Sequence, residues 1–126
     1  MAKPITDVIC VLDDDSSVLN AVVRLLSLAG WRVKEFSDPE EFLLHVKLYG
    51  AAVAIVDVWM PQMNGLEVQS RLRDLSPSTQ VIIFTGKDDS AVRATALNAG
   101  ASAYLTKPLD ADQLLNAIRF ALASTT

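Results

Sequence analysis

The 126 residues contain one cysteine, one histidine, five glycines and five prolines, and no long apolar run. A lone cysteine excludes a disulfide framework. Cys10 lies inside the apolar run Val8 to Leu12 and reads as a small buried hydrophobe of a reducing compartment. No stretch reaches the length of a membrane span, and Met1-Ala2-Lys3-Pro4 lacks the apolar centre of a signal peptide, so the expected location is cytoplasmic with no membrane partner. Positive charge is scarce and scattered: eleven Lys and Arg stand against fifteen Asp and Glu, for a net charge of −4. Without a basic run or stripe, direct contact with nucleic acid is not expected of this segment.

What is present fits a soluble globular domain, with 51% hydrophobic and 21% charged residues. A chain of this length buries about two-thirds of the surface its unfolded form exposes, so one domain over 1–126 needs neither disulfide nor structural metal. Residues 123–126 read as the start of a linker.

Short apolar runs alternate five times with helical periods. Asp7 to Leu12, Trp31 to Phe36, Val53 to Val56, Gln80 to Thr85 and Ala103 to Thr106 read as strands. Between them, Val18, Leu19, Val22, Leu25, Leu26 and Ala29 form a helical stripe closed by Gly30. Asp38-Pro39-Glu40-Glu41 starts a helix with a cap, a first-turn proline and a capping-box Glu. Its stripe is Phe42, Val46 and Tyr49, and Gly50 ends it. Asn64 and Glu67 cap a third helix carrying Val68, Leu72 and Leu75, stopped by Ser76-Pro77. Asp88 or Asp89 opens a fourth, whose inward side, Val92, Ala96 and Ala99, buries little area and predicts loose attachment. Asp110 and Gln113 cap the last helix, with Leu114, Leu115, Ile118, Ala121 and Leu122 inward. Such alternation means parallel βαβ units with helices on both faces.

In that topology all strand C-termini share one edge, where open α/β sheets place their ligand chemistry. Asp13, Asp14 and Asp15 follow the first strand, Asp57 the third, Thr85 the fourth and Lys107 the fifth. Each alone is an ordinary strand end or helix cap. Carboxylates brought together from separate loops repel unless a proton or cation intervenes, so the joint arrangement favours a cation site. Oxygen donors without histidine suit Mg²⁺, with Mn²⁺ possible. A metal beside an ammonium and a hydroxyl suits a phosphoryl group, and the available nucleophile is a carboxylate, which gives an aspartyl phosphate.

Val11-Leu12-Asp13-Asp14-Asp15, Asp57-Val58-Trp59-Met60-Pro61 with Asn64-Gly65, Phe84-Thr85-Gly86, Ala99-Gly100-Ala101 and Lys107-Pro108 occur in order. With these five pieces the chain resembles, from Val8 to about Leu122, the receiver domain of two-component response regulators. The wording is nearest to receivers that precede a LuxR-type helix-turn-helix output domain. The resemblance implies a flavodoxin-like doubly wound five-stranded sheet, order 2-1-3-4-5, with five helices on both faces. It implies that a partner sensor histidine kinase phosphorylates Asp57, that Asp14, Asp57 and the Trp59 carbonyl bind Mg²⁺ directly, and that Asp13 acts through water. Lys107 would pair with the acyl phosphate, Thr85 would move in to bond it, and Tyr104 would follow Thr85. The Lys107-Pro108 peptide would be cis, and Asp15 would be a helix cap. The domain would be no enzyme beyond its own phosphorylation and dephosphorylation. Phosphorylation would change the surface of helices four and five, used for homodimerisation or for control of a DNA-binding transcription domain in the same full-length chain.

Trp59 and Lys87 flank the route of water to such a phosphoryl group, and their bulk and charge are expected to slow its hydrolysis; the alternative is that Trp59 merely packs on the surface. His45 reads as a solvated surface residue remote from the strand ends, so the phosphodonor must be another protein. A stand-alone or hybrid-kinase receiver that relays phosphoryl groups is the alternative. An aspartyl-phosphate hydrolase would want an acid/base Asp where Trp59 stands. A flavin module would want a phosphate-cradling loop where three aspartates stand.

Overall fold

The computed structural model describes residues 8–124. Five strands alternate with five helices: β1 (Val8–Leu12), α1 (Ser16–Leu28), β2 (Arg32–Phe36), α2 (Pro39–Tyr49), β3 (Val53–Val56), α3 (Gly65–Leu75), β4 (Gln80–Thr85), α4 (Ser90–Asn98), β5 (Ala103–Thr106) and α5 (Ala111–Ala123). The sheet is parallel throughout with order β2-β1-β3-β4-β5, as the resemblance implied. Asp7, expected in the first strand, and residues 125–126 of the expected linker lie outside the described residues. Of the rest of that stretch, Ala123 ends α5 and Ser124 is its C-cap.

Strand side chains alternate between faces, and this divides the core in two. Cys10, Leu12, Ala54, Val56 and Ile83 pack under α2, α3 and α4, with Phe42, Val46, Val68, Leu72 and Ala96. Ile9, Val11, Val53, Ile55, Ile82 and Phe84 pack under α1 and α5, with Val22, Leu26, Leu114 and Ile118. The three central strands are covered on both sides, which is why they read as continuous apolar runs. Burial of Cys10 disfavours its thiolate and pushes the thiol up to about 11, as expected of an inert core cysteine.

Aspartates start four of the helices. The carboxylates of Asp15, Asp38, Asp89 and Asp110 accept from first-turn N–H groups, satisfying donors that have no partner inside the helix. Asn64 does the same for α3, accepting from Leu66 N–H at 2.7 Å. Gly30, at φ +96°, makes the left-handed exit from α1.

Four side chains depart from expectation. Ala29, expected on the inward stripe of α1, is exposed at the helix C-cap. Tyr49 is 64% exposed, and Leu43 takes its place in the buried stripe of α2, since the helix meets the sheet on a face rotated toward 39, 42, 43 and 46. Leu75, the last residue of α3, is 37% exposed. His45 is not a freely solvated residue: its ring stacks between Phe36 and Tyr49, with centroids 5.1 and 4.9 Å away.

That setting lowers the His45 pKa below 6.5, through burial first and the Lys34 charge second. The folded state therefore binds fewer protons than the unfolded one, and stability present above pH 6.5 is lost as pH falls through the window just below it. An NMR titration should place the imidazole below 6.5; a value at or above 6.5 would refute the packing effect.

Candidate functional site

Two backbone ladders run one residue beyond the strands and fix the height of the site. Asp57 N–H donates to the Leu12 carbonyl at 3.0 Å, extending β3 along β1, and Lys107 N–H donates to the Thr85 carbonyl at 2.7 Å, extending β5 along β4. Asp57 and Lys107 thus stand on one sheet edge, on either side of the end of β4, because the hydrogen-bond pattern carries them there. Asp13 is held by its own N–H on the Phe36 carbonyl at 3.1 Å, while its carboxylate accepts from Asp15 N–H at 3.0 Å.

The side chains converge. Ligand oxygens of Asp13, Asp14 and Asp57 lie within 4.8 Å of one another. Asp13 and Asp57 are buried, whereas Asp14 is exposed at the rim. The Lys107 ammonium reaches two of them, 2.8 Å from Asp13 Oδ2 and 3.6 Å from Asp57 Oδ1. The Lys107-Pro108 peptide is cis. Three carboxylates facing one ammonium leave the pocket short of positive charge. Burial first and the Asp13 carboxylate second push the Asp57 pKa up to about 6, against a smaller opposing pull from Lys107. A divalent cation would remove that conflict, and an all-oxygen donor set fits a hard one.

The rim is supplied by the loops after β3 and β4. The Trp59 backbone N–H is the smallest of the influences on the Asp57 pKa and pulls it downward. The Trp59 indole is 41% exposed and donates to the Lys87 carbonyl at 3.3 Å, and the Lys87 ammonium stands 5.2 Å above its ring. Thr85 is fully buried, and its hydroxyl faces the Lys87 backbone, 3.4 Å from the carbonyl and 3.3 Å from the N–H. Below the chain from Thr85, Tyr104 is buried; its hydroxyl accepts from Asp89 N–H at 3.3 Å, and the Arg93 guanidinium lies 4.6 Å over its ring.

The residues picked out in the sequence thus come together: Asp13, Asp14, Asp57 and Lys107 in the pocket, with Thr85, Trp59 and Lys87 at its edge. Asp15 faces α1 as its cap. His45 sits on α2, against Phe36 and Tyr49. Two contributors were missed. Arg93 gave no signal, because its contact with Tyr104 joins α4 to β5 across the fold. Gln69 did leave one, as a polar residue three positions before Leu72 on a buried stripe; its amide donates to the Ala96 carbonyl at 3.0 Å and ties α3 to α4.

Fold and site together define a class: doubly wound α/β domains with an acidic, cation-attracting pocket at the switch point of the sheet. The family model for the response regulator receiver domain matches residues 9–119, and the chain belongs to that family. It is 41% identical over 115 residues to the response regulator protein TmoT of Ectopseudomonas mendocina, covering 91% of this chain and 52% of that protein. It is 30% identical to the transcriptional regulatory protein TrcR of Mycobacterium tuberculosis, covering 88% of this chain and 43% of that one. Among solved structures, the beryllofluoride-activated NtrC4 receiver domain dimer superposes with a TM-score of 0.91 at 25% identity, over 96% of this chain and all of that one. The chain spans about half the length of the curated relatives it matches. Among the described residues, no helix is long and apolar enough to cross a membrane.

Proposed function

We propose that the domain is a phosphorylation switch whose phosphoacceptor is Asp57. The observation that carries this reading is the convergence of three carboxylates with Lys107, centred on the one carboxylate that is buried and set at the end of the central strand. Asp14, Asp57 and the Trp59 carbonyl would hold Mg²⁺, with Asp13 acting through water; Mn²⁺ offers the same donor preferences. Bound there, the cation would supply charge neutralisation for a phosphoryl group.

In the transfer, an Asp57 carboxylate oxygen bonds phosphorus as the phosphorus–nitrogen bond of a phosphohistidine breaks. The electron pair leaves with the imidazole of a sensor histidine kinase. Lys107 shifts from its ion pairs toward the new phosphoryl oxygens, Thr85 turns its hydroxyl to them, and Tyr104 follows into the space vacated. Phosphorylation brings up to two negative charges, and populations shift by the contacts these make in one state only. Among α4 residues only Ala96 is fully buried, which is consistent with two packings of similar energy.

The longer relatives, and the regulatory role in TrcR's name, support a DNA-binding transcription domain in the full-length protein, and the NtrC4 dimer supports homodimerisation on activation. The domain's own chemistry is limited to gaining and losing the phosphoryl group. Trp59 offers no carboxyl to a hydrolase mechanism.

Intact mass after incubation with acetyl phosphate tests the reading. One phosphoryl adduct should form, needing both Mg²⁺ and Asp57, and be absent from Asp57→Asn. No adduct, or an adduct that survives in Asp57→Asn, would reject it. Trp59→Ala should shorten the adduct's half-life by about threefold, under 1 kcal/mol of barrier, by opening the route of water; an unchanged or longer half-life contradicts that role.

A further inference from the structure

The Lys87 backbone is a junction between the loop that carries Asp57 and the strand end that carries Thr85. Its carbonyl accepts from the Trp59 indole at 3.3 Å and from the Thr85 hydroxyl at 3.4 Å, while its N–H donates to the same hydroxyl at 3.3 Å. Both partners of the Thr85 hydroxyl therefore belong to one residue, on the two peptide groups that flank the Lys87 Cα, and the Trp59 indole ties the carbonyl side of that residue to the loop beyond Asp57. The Lys87 ammonium, 5.2 Å over the indole ring, adds a contact that leaves the backbone untouched.

Each of these hydrogen bonds is long, so each is weak. Thr85 is buried, however, and water cannot replace a partner that its hydroxyl gives up. The hydroxyl stays on Lys87 for as long as the Lys87 backbone stays in place. Loop backbone in that position is free to rotate unless something outside the loop holds it. The Trp59 indole does so at the Lys87 carbonyl itself, while the Tyr104 hydroxyl holds the loop two residues further on, at the Asp89 N–H.

We infer that Trp59 is a positioning residue that latches the switch: its indole N–H, through the Lys87 carbonyl, pins the Thr85 hydroxyl to the Lys87 backbone in the unphosphorylated state. The latch rests on the phosphorylation reading for its purpose, since release of Lys87 is what frees Thr85 for a phosphoryl group on Asp57. Trp59 stands two residues beyond Asp57 in the same loop, so the phosphoacceptor and the latch share one short segment of chain.

The test uses unmodified protein with a chelator and no phosphodonor, so it is independent of phosphorylation. Trp59→Phe keeps a ring beneath the Lys87 ammonium and removes only the N–H donor. Hydrogen exchange of the Lys87 N–H should quicken about fivefold, the equivalent of about 1 kcal/mol, and the couplings that report the Thr85 side-chain rotamer should move from one well to an average. Lys87→Ala retains the carbonyl and should leave both readouts at parent values. Parent-like exchange and couplings in Trp59→Phe overturn the latch. Equal changes in both variants overturn it as well, by assigning the effect to the ring–ammonium contact. Acetyl phosphate treatment of the parent separates the two ideas: moved couplings without an adduct reject the phosphorylation reading alone, and an adduct with unmoved couplings rejects the latch alone.

Discussion

Replacing Gly65 by alanine should destabilise the domain by about 3 kcal/mol, a loss typical of forcing atoms into a closed space. Gly65 opens α3, and its N–H donates to the Val58 carbonyl at 2.8 Å. A Cβ there would fall far inside contact distance of the Asp57 carbonyl oxygen and 2.8 Å from Val58 Cα. These neighbours are backbone, not the ends of flexible side chains. They cannot yield unless Asp57 moves, and Asp57 is held on its other side by the Leu12 carbonyl.

Urea unfolding measures the loss, and Gly86→Ala is the matched control. At that glycine, also on the rim of the site, the nearest atom to an added Cβ is Lys107 Cδ at 3.6 Å, an ordinary contact, so the change should stay within about 0.5 kcal/mol. A Gly65→Ala protein as stable as the parent would mean that α3 can withdraw from the β3 loop. The placement of Asp57 would then not depend on the close approach of the two.

The contrast between these glycines shows which parts of the molecule could be read before any coordinates. Strand spans such as Gln80 to Thr85 were legible because burial on both faces leaves a continuous apolar run, and helix starts were legible because capping is local chemistry. The convergence of Asp13, Asp57 and Lys107 followed from parallel topology alone, which sends every strand C-terminus to one edge. The strand order and the particular roles came from resemblance, since nothing in a βαβ repeat dictates which neighbour a strand chooses.

Rotation of a helix about its own axis was not legible. Residues at spacings of three and four tolerate a shift of the buried face by one position, which exchanged Leu43 for Tyr49 and drew His45 between two rings. Contacts between loops far apart in sequence were equally hidden. Trp59 and Lys87 could be placed at the rim, but the hydrogen bond between them depends on loop conformations that no periodicity encodes.

Asp57→Asn should make the metal-free domain more stable at neutral pH, by on the order of 2 kcal/mol, although it removes the residue at the centre of the site. The groups facing Asp57 are Asp13 and Asp14 from the loop after β1 and Lys107 from the end of β5. Burial and the two carboxylates outweigh the ammonium, so the folded pKa is about 6 against 3.8 in the absence of the fold. The folded state binds the extra proton between those values, and the ionisation penalty grows as pH rises through that window. Well below pH 3.8 the carboxyl is neutral in both states and the penalty is absent. The stability difference between Asp57→Asn and the parent should therefore be largest at pH 7 and several-fold smaller at pH 4. Lys107 keeps its 2.8 Å ion pair with Asp13 in the variant, so the substitution leaves no bare buried ammonium. Saturating Mg²⁺ should reverse the order, because a cation that needs Asp57 stabilises only the parent, by an amount set by its concentration over its dissociation constant. Chemical unfolding of both proteins at the two pH values, with and without Mg²⁺, measures all of this. A variant no more stable than the parent at pH 7 in chelator would mean the carboxylate cluster is already relieved by protein and water. A gain equal at pH 4 and pH 7 would assign it to packing and not to charge.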